Sequence, residues 1–350
     1  MKVLVIQQKM IGDVLASTVI CQAIKTKHPD WKIHYMIYPN CRPVVENNPF
    51  VDEIIIFNPI VTKGFFKLIS FGKSLRKENY DVVIDAYGKW ESMLPTYFSK
   101  ATKRIGFKKS YTSLFYTEVV TPKKNISGSA IYHRLQLAES ILKTPIEVFF
   151  PKIYISKEEQ IIAENAIHNK LDTTIPIIMV SVLGSDASKS LPCKPMAETL
   201  DAIVSYKENV QLLFNFIPNQ TEEAKAIFDA CKPETQEKII FDFYTKGLRD
   251  FLAILEQCDA LIGNEGGAVN MAKALEVKTF TIFSPWINKN SWNMLNDDQQ
   301  HVAVHLHDYY PEIYGEKHPK KFKKEALDLY QKLKINLFQD KLNNFLNQIN

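Results

Sequence analysis

The sequence lacks most of the features that would classify it at a glance. Its five cysteines, Cys21, Cys41, Cys193, Cys231 and Cys258, form no CxxC pair. Their odd number and wide spacing argue against a disulfide framework and a zinc site, and point to reduced, mostly buried thiols. No apolar run approaches the ~18 residues needed to span a bilayer. The opening MKVLVIQQ holds four consecutive apolar residues, short of the ~7–15 of a signal-peptide core. The expected location is therefore cytoplasmic, with peripheral attachment to the inner face of the cytoplasmic membrane left open. A dominant charge is missing too. Against 43 Lys and Arg stand 39 Asp and Glu, a net charge of +4. That balance is too mild to argue for nucleic acid, yet compatible with anionic sugars, nucleotides or a membrane surface. GxxxxGK[ST] is absent, no DxD sits at a strand end, and no Ser-His-Asp ordering is compelling.

What is present is regular. The chain has 350 residues, 46% apolar and 23% charged, the profile of an ordinary globular protein with about two domains. Continuous apolar runs alternate with helical patterns. Strands are predicted at 2–6, 32–38, 52–57, 80–87 and 103–107, and helices at 14–27, 65–77 and 127–142. An extended, Pro-punctuated stretch covers 144–155, and a helix follows at 156–169. The alternation then restarts, with strands at 175–183, 210–217, 238–243, 258–263 and 278–285 and helices between them. Such patterning describes parallel sheets covered on both faces. It divides the chain into a domain at 1–160, a second at 161–320 and a basic, then helical, tail at 321–350 that could pack back on the first domain. Ligands of such sheets sit at the carboxyl ends of the strands.

Three of those ends carry candidate chemistry. In IQQKMIGDVLAS (6–17) a strand meets a helix at Gly12-Asp13. An aspartate there can cap a helix or serve as a fixed carboxylate. In SVLGSDASKSLP (181–192), Ser185 and Lys189 at a strand end suit a phosphate group. In GNEGGAVNMAKALEV (263–277), Gly266 and Gly267 let backbone approach a diphosphate at a helix start, and Glu265 could accept hydrogen bonds from sugar hydroxyls. HLHD (305–308) superficially looks like a metal cluster, but strand alternation explains it as well, and no metal is expected. The basic segments 100–109 and 317–324 read as solvated faces that could meet an anionic acceptor or a membrane.

Together these segments resemble the bacterial heptosyltransferases of glycosyltransferase family 9. The resemblance lies in IGDVLASTVICQAIKTKHPDWKIHYMI, in NPFVDEIIIF and in residues 246–283, and covers about 1–60 and 175–290. It implies an α/β GT-B fold, two Rossmann-like doubly wound parallel-sheet domains facing across a cleft. It implies inverting, metal-independent and cofactor-free transfer of a sugar from a nucleotide-sugar donor, ADP-heptose in the usual case, to a lipopolysaccharide-core acceptor. By the same resemblance Asp13 is the catalytic base, Gly12 beside it contacts the donor, Lys189 and Ser185 bind phosphate, and a ribose-binding glutamate falls at or within a residue or two of Glu222. The family pattern Asn-Asp-Ser-Gly, two residues, His reads here as Asn264, Glu265, Gly266, Gly267, Ala268, Val269, Asn270. Asn270 thus stands beside the expected donor in place of a histidine, and can donate a hydrogen bond but carries no charge. A GT-B enzyme using another nucleotide sugar, an epimerase included, and a non-catalytic nucleotide-sugar binder are the alternatives.

Overall fold

A computed structural model describes residues 1–123, 129–243, 245–292 and 299–349. The chain divides into two compact units, Met1–Tyr154 and Ile155–Asn350. The division lies a few residues before the boundary expected from sequence, for a local reason. Ser156 caps the helix Lys157–His168, and Ser156 and Glu159 form a reciprocal capping box. Glu159 is then ion-paired with Arg249, and the helix packs against Leu248–Glu256 of the second unit.

The first unit is built on strands β1 (Lys2–Ile6), β2 (Lys32–Ile37), β3 (Glu53–Ile56), β4 (Val82–Asp85), β5 (Lys103–Phe107) and β6 (Glu118–Val120). They form one sheet in the order β3-β2-β1-β4-β5-β6, with every neighbouring pair parallel. Val3, Leu4, Val5 and Ile6 are all fully buried, as expected of a central strand covered on both faces. The sequence pattern marks no element at the helix Trp90–Ser99, which carries Pro95 inside it although proline normally interrupts a helix. It is held by packing against Phe65–Ser74. A Cβ on Gly72 would come within 2.8 Å of Pro95 Cα and Phe98 Cβ, so the two helices approach through that glycine. The helix expected at 127–142 runs Ser129–Leu142; residues 127 and 128 lie outside the described residues.

The second unit repeats the plan with β7 (Ile177–Ser181), β8 (Gln211–Asn215), β9 (Ile239–Ile240), β10 (Ala260–Asn264), β11 (Lys278–Ile282) and β12 (His301–Val304). The order is β12-β11-β10-β7-β8-β9, again all parallel. The tail belongs to this unit. Phe338, Leu342, Phe345 and Leu346 of the helix Ile335–Leu346 join its buried core. Tyr206 Oη donates to Asn347 Oδ1 at 2.8 Å, and Lys207 Nζ to the Ile349 carbonyl at 2.7 Å. Among the described residues, no helix is long and apolar enough to cross a membrane.

Candidate functional site

In the first sheet the strand order reverses between β1 and β4, and the crevice outside such a reversal is the natural ligand position. Asp13 lies there, but not as a helix cap. The helix Ile11–Lys27 begins earlier than the apolar pattern suggests; Met10 occupies the cap position, and Asp13 is the third helical residue. Its Oδ1 accepts a hydrogen bond from Arg134 Nη2 at 2.7 Å. Arg134 comes from Ser129–Leu142, which packs along the first helix. Its other nitrogens donate to Ser17 Oγ at 2.6 Å and to the Ala130 carbonyl at 2.5 Å, while Ser17 Oγ donates to the Asp13 carbonyl at 2.8 Å. The Arg134 side chain is largely enclosed, 12% exposed, whereas the Asp13 side chain keeps 32% of its surface. A carboxylate is thereby locked in orientation with one edge left open.

Asp85 ends β4 beside it and is fully buried. It accepts hydrogen bonds from the Tyr87 and Gly88 amides at 3.1 and 2.8 Å and from Tyr116 Oη at 2.7 Å. Burial pushes its carboxyl up, against these donors. The result is a rigid 85–88 turn. Tyr87, on that turn, has its phenol pushed up by burial, with the charges of Glu91, Asp13 and Asp85 adding to the effect.

In the second sheet the order reverses between β7 and β10. The loop after β7 is built in advance. Asp186 Oδ1 accepts from Ser188 N at 3.0 Å and Ser188 Oγ at 2.6 Å. Ser190 Oγ accepts from Gly184 N at 2.9 Å and donates to the Asp186 carbonyl at 3.0 Å. Gly184 is required by close approach, since a Cβ would sit 2.3 Å from the Lys189 carbonyl. Asn264, fully buried at the end of β10, ties this loop to the next. Its Oδ1 accepts from Leu191 N at 2.7 Å, and its Nδ2 donates to the Ser181 and Val182 carbonyls at 3.0 Å each. The Lys189 ammonium consequently stands 3.9 Å from Glu265 Oε1. It also lies 5.7 Å from the centre of the Trp286 ring, and the Trp286 Nε1 donates to the Ser188 carbonyl at 3.0 Å. Burial raises the Glu265 carboxyl, with Lys189 opposing, and Glu265 Oε1 has no hydrogen-bond partner. The helix Gly267–Ala274 starts immediately after, and added Cβ atoms on Gly266 and Gly267 would meet nothing closer than 3.8 Å. A lysine, an exposed run of backbone and a helix N-terminus thus converge where an anion would be stabilised.

Next to this loop, a cavity of about 420 Å³ opens between Phe214, Phe216, Phe243, Leu248, Phe251 and Met271. Its volume and largely apolar walls are those of a small-molecule pocket.

The structure brings Lys189, Glu265, Gly266 and Gly267 together. Ser185 is exposed on the same loop, its Oγ 3.4 Å from Asp186 Oδ2. Gly12 is the second residue of the Asp13 helix. Asn270 is half-buried on the first turn of its helix, its N–H donating to the Gly266 carbonyl at 3.2 Å. Glu222 is exposed on Thr221–Ala230; Glu223, one residue on, lines a cavity of about 410 Å³ with Ser185, Asp186 and Gln220. The histidines at 305 and 307 do not share a strand. β12 stops at Val304, and the His307 amide donates to His305 Nδ1 at 3.0 Å within a tight turn. Among the described residues, no three His, Cys, Asp or Glu side chains gather as metal ligands. Sequence reasoning missed Arg134, 121 positions from its partner, and nothing local marks it. It also missed Trp286, and for Asp85 the one signal was a carboxylate at the end of an apolar strand.

The model of glycosyltransferase family 9 (heptosyltransferase) matches residues 68–321. The chain belongs to this family. As a family member it is a glycosyltransferase. It is 23% identical over 297 residues to lipopolysaccharide heptosyltransferase 1 of Campylobacter coli, covering 81% of this chain and 84% of that one. In fold it is similar to Escherichia coli ADP-heptose lipopolysaccharide heptosyltransferase II, with a TM-score of 0.76, 19% identity and 99% of each chain covered. It is also similar to an Escherichia coli heptosyltransferase solved with ADP, with a TM-score of 0.67, 16% identity, and 87% and 93% of the two chains covered. The two Rossmann-like units are those of the GT-B fold.

Proposed function

We propose that this glycosyltransferase moves a heptose from ADP-heptose to a lipopolysaccharide-core acceptor, with inversion and without a metal. The observation that carries the reading is the convergence of Lys189, Glu265 and the open Gly266-Gly267 backbone at the strand-order reversal of the second sheet. The C-terminal unit holds the donor: the base enters the aromatic cavity, and the diphosphate meets Lys189 and the amides that open Gly267–Ala274. The acceptor hydroxyl oxygen attacks the anomeric carbon and Asp13 takes its proton. The bond from that carbon to the diphosphate oxygen breaks, and the electron pair leaves with ADP. Asp13 suits the role because Arg134 fixes one oxygen while a third of the side chain stays accessible. Charge gathering on the leaving group is met by Lys189 and the helix N-terminus, pre-oriented by the Asn264 bonds.

The names and folds of the relatives support the donor and acceptor classes. A different nucleotide sugar is the second reading, favoured by Asn270 and Glu265 standing where the family pattern has histidine and aspartate. Release of ADP from ADP-heptose in the presence of a truncated lipopolysaccharide core, with EDTA added, tests the first reading. No turnover of ADP-heptose, with turnover of another nucleotide sugar, would establish the second; a strict need for Mg²⁺ would remove the metal-free mechanism.

A further inference from the structure

The segment between β3 and the Phe65–Ser74 helix exposes large apolar side chains that the fold does not use. Ile60 is 82% exposed, Val61 63%, Phe65 58% and Phe66 83%. Scattered exposed apolar residues are ordinary, but a contiguous set is not. The segment is also shaped. Asn58 Oδ1 accepts the Ile60 amide at 3.0 Å, and the Asn58 carbonyl accepts Thr62 Oγ1 at 2.7 Å and Thr62 N at 3.0 Å. That turn lifts Ile60 and Val61 to its tip. Gly64, at φ +107°, then reverses the chain into the helix with open space where a Cβ would lie, and Phe65 and Phe66 meet edge to face at 5.7 Å. The inward residues Phe57, Thr62 and Leu68 are buried, so the outward ones are free of any duty to the core.

Along the segment the charge is strongly positive, with Glu91 as the carboxylate that shares a cavity lining with Lys63 and Phe65. From residue 54 to residue 77 there are five cations, Lys63, Lys67, Lys73, Arg76 and Lys77, and no Asp or Glu. Lys63 and Lys67 interleave with the aromatic and aliphatic residues and are themselves exposed. Apolar and aromatic side chains set among lysines suit the interface of an anionic bilayer, where rings enter the headgroup layer and ammonium groups meet lipid phosphates. We propose that the Ile60–Val61 turn and Phe65-Phe66 are a membrane-docking surface that seats the N-terminal unit on an anionic phospholipid bilayer. The excess of positive charge along the segment, five cations with no Asp or Glu between residues 54 and 77, favours lipid over a protein partner, whose contact surface would supply carboxylates only by chance. The inference rests on the membrane contact left open by the charge balance and on no part of the donor reading.

Sedimentation of the full chain with vesicles, without donor or acceptor, tests it. The wild type is expected to bind vesicles of phosphatidylglycerol and phosphatidylethanolamine far better than phosphatidylcholine vesicles, and less well as salt rises. Ile60→Ser with Phe66→Ser should lower partitioning at least ~10-fold. Lys63→Gln with Lys67→Gln should lower it roughly 10–30-fold. Lys157→Gln with Lys232→Gln, exposed cations of the other unit, should leave it unchanged. The replaced residues are solvent-exposed, so the variants should fold, and an unchanged thermal melt followed by circular dichroism confirms it. No vesicle binding by the wild type, or equal binding by both segment variants, overturns the proposal. A segment variant that alters the oligomeric state instead, with no vesicle binding by the wild type, assigns the surface to a second copy and overturns it equally.

Discussion

Asp13→Asn separates the two roles that the geometry gives this side chain. The carboxylate holds Arg134 through a hydrogen bond of 2.7 Å, with the Arg134 side chain 12% exposed. At an effective dielectric of ~20, unit charges ~4 Å apart attract by about 4 kcal/mol before desolvation; the net worth of a charge-assisted hydrogen bond is roughly 1.5–3 kcal/mol. Asparagine keeps the accepting oxygen and loses the charge, and Arg134 retains Ser17 Oγ and the Ala130 carbonyl. The expected stability loss is therefore ~1–2 kcal/mol, a fall of a few degrees in the melting temperature of the unit. If Asp13 takes the acceptor proton, single-turnover transfer falls by roughly 10²–10⁴. Affinity for ADP, assigned to the other unit, should hold. Arg134→Met is the companion variant: it costs similar stability, keeps the carboxylate, and should slow transfer less than Asp13→Asn. A variant at Asp13 that keeps near-full rate, or an Arg134→Met protein slowed as much as Asp13→Asn, would refute the base assignment and leave the pair as architecture.

Lys189→Gln should weaken ADP binding about 10–100-fold by calorimetry while changing adenosine binding little; equal losses would move Lys189 away from the phosphates. Asn264→Ala leaves the Leu191 amide and the Ser181 and Val182 carbonyls without their partner. Denaturant unfolding should show a loss of ~1–3 kcal/mol, and ADP binding should weaken although Asn264 is assigned no ligand contact. Burial raises the Glu265 carboxyl, so between its ordinary value of ~4.3 and the higher folded value the native state holds a proton that the unfolded chain has released. Its contribution is present at low pH and declines as pH rises through the folded pKa. Glu265→Gln should flatten that part of the stability–pH curve, and an unchanged curve would mean the carboxyl is not shielded.

The alternation of apolar runs and helices carried the fold class in the sequence itself. A strand covered on both faces must be apolar along its length, as in KVLVI and IPIIMVSVL, and a parallel pair needs a crossover between its strands. Glycine and small polar residues at strand ends likewise marked the loops around Gly12, Gly184 and Gly266, because backbone that turns or approaches closely restricts side-chain choice. The details that depend on distant partners were not legible. The helix around Pro95 had no place in the sequence pattern, and packing on Gly72 holds it. The tail's pattern announced a helix but not the core that receives it, because an apolar face does not name its partner. Asp13 read as a cap or a base from its neighbours alone, whereas its orientation comes from Arg134 on another helix. The Lys189–Glu265 pair exists because three hydrogen bonds of Asn264 bring two strand ends together. Local pattern determined which elements form and where the backbone can bend. Tertiary packing decided which charges meet, since Coulomb and hydrogen-bond energies depend on distances that separation along the chain does not fix.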